Sequence, residues 1–124
     1  MTAPEEILIG SIRQNLSTED VDASMVVHRA TILFPDMPAL ELKRVVLKAL
    51  EVLLRSGEMI AADMTRHDGY LLRNESPDDT IQRIWTLWDE RGSPPNPEDM
   101  IYLISPQVFE KVRKLHENDP PGSS

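Results

Sequence analysis

Apolar positions recur along the chain in helical and strand periods, and the breaks between them carry proline, glycine and capping residues. Leu8, Ile12 and Leu16 recur every fourth residue with Ile9 beside them, which predicts a first helix opening at Thr2 or Ala3. Thr2-Ala-Pro-Glu5 supplies the N-cap and third-position Glu of a capping box, with Pro4 tolerated in the first turn. Ser17-Thr-Glu-Asp20 offers a fresh cap. A second helix is expected from about Thr18 to Phe34, with Val21, Met25, His28 or Arg29 and Ile32 on its inner side. Pro35 and Pro38 end it, because a helix cannot pass through that pair without losing hydrogen bonds and clashing.

The third helix, roughly Pro38 to Ser56 with Asp36 as its cap, has the strongest pattern. Glu41, Arg44, Lys48, Glu51 and Arg55 draw a single polar stripe, and Leu42, Val45, Val46, Ala49, Leu50, Leu53 and Leu54 cover most of the rest. So narrow a stripe requires packing on two sides. Gly57 supplies the left-handed position after the last turn. Two short strands, Met59–Met64 and Tyr70–Arg73, flank Thr65-Arg-His-Asp-Gly69, where Asp-Gly signals a hairpin. Ser76-Pro-Asp-Asp79 opens a fourth helix with an N-cap, a first-position proline and two carboxylates facing the helix dipole. Ile81, Ile84, Trp85 and Trp88 form its apolar stripe, and Arg91-Gly92 closes it. A stiff connector, Ser93-Pro-Pro-Asn-Pro-Glu98, leads to a third strand at Met100–Ile104. Ser105-Pro106 caps a last helix carrying Val108, Phe109, Val112 and Leu115. The expected fold class is mainly α with a small antiparallel sheet, an α+β arrangement in which the third strand joins the other two.

The chain has 124 residues, which fits one domain of ordinary size. That domain is expected over 1–117, with a core at about 2–75 and a helix-strand-helix extension at 76–117. The polar, Pro/Gly/Ser-rich residues 118–124 are expected to form a frayed tail. The absence of cysteine excludes disulfide scaffolds, thiolate metal sites and cysteine nucleophiles. No apolar run reaches the roughly 20 residues of a membrane span, and the first six residues lack a charged leader, so a cytoplasmic protein is expected, with no membrane partner.

The order helix, helix, Pro-broken turn, long helix, Gly, strand, Asp-Gly hairpin, strand resembles a winged-helix (winged helix-turn-helix) domain of bacterial regulators. The run from Leu42 to Met59 is similar to their recognition helix and its exit, where apolar and basic residues alternate before a Gly-acidic-hydrophobic step. The resemblance covers about Glu5 to Arg73. It implies DNA binding and transcription regulation, with Lys43, Arg44 and Lys48 facing the groove and Arg66 and His67 at the wing tip.

Charge modifies this expectation. Net charge is −8, from 13 basic and 21 acidic residues, but Glu41–Arg73 sums to +1 and the rest of the chain to −9. The acidity therefore lies mostly outside the part that would read DNA. Against DNA, the polar stripe of the third helix mixes both signs, and Glu51–Arg55 and Glu41–Arg44 are spaced for intrahelical ion pairs. Between Ala39 and Arg55, only the two arginines that close those spacings, Arg44 and Arg55, suit base-edge contacts.

Catalytic chemistry finds no support. His28, His67 and His116 fall on different predicted elements without metal-ligand spacing, His28 reading as a core histidine. Adjacent carboxylates such as Asp78-Asp79 point apart on a helix, and the five glycines match no phosphate-binding loop. No catalytic residue, metal, cofactor or small-molecule ligand is inferred, and the chain is not expected to be an enzyme. The leading expectation is a binding protein that keeps a winged-helix-like fold and acts as a protein-interaction module or a small homo-oligomer. Its candidate interface is Ile81, Trp85 and Trp88, where tryptophan suits a partner surface as well as a core. The alternatives are a DNA-binding regulator and an acidic immunity- or inhibitor-type protein, steered by its charge onto a basic target.

Overall fold

The computed structural model describes residues 3–19, 21–64 and 69–117. Five helices, α1 (Pro4–Leu16), α2 (Ala23–Leu33), α3 (Ala39–Arg55), α4 (Pro77–Arg91) and α5 (Pro106–Glu117), surround a sheet of β1 (Ile60–Met64), β2 (Tyr70–Leu72) and β3 (Tyr102–Ile104). The sheet is antiparallel in the order β2-β1-β3, so the mainly helical α+β class expected from the sequence is the one observed. Ala62 is the hinge of its register, opposite Leu72 on one side and Tyr102 on the other.

Most helix ends follow their local chemistry. Ser76 accepts a hydrogen bond from the Asp79 N–H at 3.1 Å with Pro77 in the first turn of α4, and Gly92 closes that helix at φ +73°. Ser105 accepts from the Val108 N–H at 3.1 Å at the start of α5. Gly57 turns the chain out of α3 at φ +81°, a conformation that costs other L-residues a steric penalty.

Three starts differ from the sequence expectation. The α1 cap is Ala3, which makes no side-chain hydrogen bond, while Thr2 lies outside the described residues. Pro38, not Asp36, stands at the cap of α3. The largest difference is α2, which starts at Ala23 and not near Thr18. Asp22 is its cap, accepting from the Met25 N–H at 2.9 Å and also from the Ser24 hydroxyl. The residues before it are taken by the sheet. The Leu103 N–H donates to the Val21 carbonyl and the Ala23 N–H to the Ile101 carbonyl, each at 2.8 Å. Pairing with β3 buries Val21 and holds the backbone extended, so the helix cannot begin earlier. The inner face of α2 moves with its start: Ala23, Val26, Val27 and Ala30 are buried, while Met25, His28 and Ile32 are exposed and Arg29 is half-buried. His28 is therefore a surface histidine and not a core one.

The main core gathers Leu8 and Ile12 of α1, Val26 of α2, Val46, Leu50 and Leu53 of α3, Met59, Ile84 and Leu103. Burial at roughly 25 cal/mol per Å² of apolar surface makes this the dominant stabilising term. A smaller cluster, built on Ala62, Tyr70, Ile104 and Val108, fills the space between the sheet and α5. There the rings of Tyr70 and Tyr102 meet edge to face with centroids 5.6 Å apart. Among the described residues, no helix is long and apolar enough to cross a membrane.

Candidate functional site

The polar stripe of α3 forms as its spacing requires: Glu41, Arg44, Lys48 and Arg55 are exposed and Glu51 is half-buried. Its charges are largely spent on one another. Lys48 Nζ lies 3.3 Å from Glu51 Oε1 and Arg55 Nε 3.4 Å from the same oxygen, while the Arg55 guanidinium also pairs with Asp78 at the start of α4. The expected Glu51–Arg55 pair is thus present. Glu41 and Arg44 do not pair with each other, and Arg44 makes no ion pair among the described residues.

Lys43 requires a correction. It does not face outward with Arg44 and Lys48 but is buried, at 6% exposure, beneath α4. Its Nζ stands 3.9 Å from the centroid of the Trp85 ring, 6.0 Å from that of Trp88 and 3.5 Å from Asp89 Oδ1. The reason is angular. Lys43 lies one residue off the polar stripe, in line with Val46, Leu47 and Leu50, and α4 packs on that side of α3. The four-carbon stem fills apolar space while the ammonium reaches the ring face and a carboxylate at the edge. A lysine held in this way cannot reach a phosphate without unpacking α4. The other two groups expected at a DNA surface, Arg66 and His67, lie outside the described residues.

The tryptophan stripe of α4 divides. Ile84 and Trp88 are core residues, and Ile81 packs partly buried against them. Trp85, at 37% exposure, alone keeps a substantial outward surface. The candidate interface of Ile81, Trp85 and Trp88 therefore reduces to Trp85 lying over Lys43. Two further apolar side chains missed by the sequence reading are exposed elsewhere, on the outer strand of the sheet: Leu71, at 64% exposure, and Leu72. Alternation in Tyr70-Leu-Leu-Arg73 signals one outward leucine, but the exposure of both was not legible, because it depends on β2 lying at the end of the sheet order.

Below the stripe, Glu75 anchors the passage from β2 into α4. Arg83 grips its carboxylate through Nε and Nη2, both at 3.0 Å, the buried Thr80 hydroxyl donates at 3.1 Å, and Arg73 lies at 3.1 Å. Burial pushes the Glu75 carboxyl up, but the two arginines outweigh it and hold the group below the usual carboxylate range. This network is structural, joining strand exit to helix start. Among the described residues, no group of three or more His, Asp or Glu side chains could hold a metal ion. His28 is on α2 and His116 on α5, while His67 lies outside the described residues.

No protein-family model, curated protein or solved structure matches this chain.

Proposed function

We propose that this chain is a non-catalytic binding protein of winged-helix-like architecture that acts through protein contacts, self-association included, and not by reading DNA. The observation that carries the reading is the fate of the α3 cations. Lys43 is under Trp85, Lys48 and Arg55 are neutralised by Glu51 and Asp78, and Arg44 remains as the one unpaired cation of α3 among the described residues. Non-specific DNA affinity grows with the number of phosphates met by Lys or Arg, and one residue supplies little of it. Trp85, Leu71 and Leu72 offer exposed apolar surface of the kind that the centres of protein interfaces use. Among the described residues β2 also stands at the end of the sheet order β2-β1-β3, where a second copy could add a strand.

Light scattering on the full chain tests this reading. The expected result is twice the monomer mass, falling to the monomer on Leu71→Asp or Trp85→Asp. A wild-type monomer at high concentration discards self-association. Trp88→Asp is not a usable probe, because Trp88 is buried and a carboxylate there unfolds the domain.

A further inference from the structure

An open cleft of about 550 Å³ lies between α1, the start of α2 and the connector at Pro95 and Pro97. Its size falls within the roughly 300–1,000 Å³ of small-molecule sites. Ile12, Val21, Met25 and Pro95 make its wall largely apolar.

One wall is held rigid. Arg91 donates to both oxygens of Asp99, at 2.8 and 2.7 Å, and to the Pro94 carbonyl at 2.8 Å, closing the connector into a ring. Within it, Asn96 and Asp99 cap each other's backbone: the Glu98 N–H donates to Asn96 Oδ1 at 2.9 Å and the Asn96 N–H to Asp99 Oδ2 at 2.7 Å. Prolines 94, 95 and 97 restrict the backbone further. A site whose wall is fixed before binding loses less entropy when it is filled.

The polar feature of the cleft is Arg29. Its side chain is half-buried and lines the cavity, and its Nη1 donates to the Ser11 hydroxyl at 2.8 Å. In a chain with 21 carboxylate residues, Arg29, like the exposed Arg44, has no ion pair among the described residues, whereas Arg13, Arg55, Arg73, Arg83, Arg91 and Arg113 all do. A guanidinium carries five N–H donors in a planar fork that matches a carboxylate. Glu19 also lines the cleft but forms no ion pair with Arg29.

We propose that this cleft is a binding site for a small monocarboxylic acid with an apolar body, its carboxylate held by Arg29 and Ser11 and its hydrocarbon part lying against Met25, Ile12 and Pro95. The site is separate from Trp85 and the β2 edge, so its test is independent of the protein-contact reading.

Calorimetric titration of the full chain with hexanoate and 4-phenylbutyrate, against hexanamide and 4-phenylbutyramide as neutral matches, decides it. At least one acid binds saturably below about 1 mM, and its amide binds about tenfold or more weaker, since a charge-assisted bond to the guanidinium is lost. Arg29→Gln removes the preference for the acid. Met25→Glu, at an exposed position of the apolar wall that tolerates a charge without loss of fold, weakens the acid by about tenfold or more. The proposal is overturned if neither acid saturates by about 10 mM, if acid and amide bind alike, or if Arg29→Gln or Met25→Glu, folded by circular dichroism, binds the acid as the wild type does.

Discussion

Lys43 Nζ stands 3.9 Å from the centre of the Trp85 ring, and Asp89 closes the arrangement from the solvent side at 3.5 Å. The ammonium is thereby kept in a largely apolar place by a ring face and one carboxylate. Replacing a buried ion pair by an apolar side chain of similar volume is often neutral, whereas an uncompensated charge is costly. Lys43→Met is expected to change unfolding free energy by less than about 1 kcal/mol, and Lys43→Glu, which sets a carboxylate beside Asp89, to lower it by about 3 kcal/mol or more. Urea denaturation of the two variants measures the contrast; equal effects would mean that Lys43 is not enclosed.

The connector is expected to be acid-sensitive. Hydrogen bonds from Arg91 hold the Asp99 carboxyl below the usual carboxylate range, with the Asn96 N–H assisting. A folded-state value below the unfolded one means that the unfolded chain binds more protons between the two. The stabilisation is therefore complete above the unfolded value, about 4, and is lost as pH falls through the folded value. Asp99→Asn should lower the thermal midpoint at pH 7 and flatten its decline below pH 4, as seen by calorimetric melts from pH 2 to 7. An unchanged acid slope would show that Asp99 does not contribute.

Gly92 and Asp22 test helix ends of opposite kind. An added methyl at Gly92 meets nothing within 4 Å, so the cost of Gly92→Ala is backbone strain at φ +73° alone, about 1 kcal/mol. Asp22→Ala removes the acceptor for the Met25 N–H and is expected to cost about 1 kcal/mol. The same equilibrium unfolding assay measures both. A stabilised Gly92→Ala variant would contradict the left-handed assignment.

The parts of the fold that could be read from sequence are those in which local chemistry and packing agree. Ser76-Pro77 opens α4 and Gly92 closes it, Gly57 leaves α3, and the stripe from Glu41 to Arg55 faces solvent. The start of α2 could not be read, because Ser17-Thr-Glu looks like a cap until β3, eighty residues later in the chain, pairs with Val21. Residue type alone places Lys43 with Arg44 and Lys48, whereas its position in line with Val46, Leu47 and Leu50 places it under α4. The cleft at Arg29 depends on where the proline connector returns, and no period within α2 encodes that path.

The most direct test is a fluorescence-anisotropy titration of labelled random duplex DNA with the full chain at low ionic strength. With Lys43 enclosed and Lys48 and Arg55 paired, no saturable binding is expected at micromolar protein, in wild type or in Lys48→Glu. Saturable binding that falls steeply with added salt and weakens on Lys48→Glu would contradict the protein-contact reading and restore α3 as a DNA-reading helix.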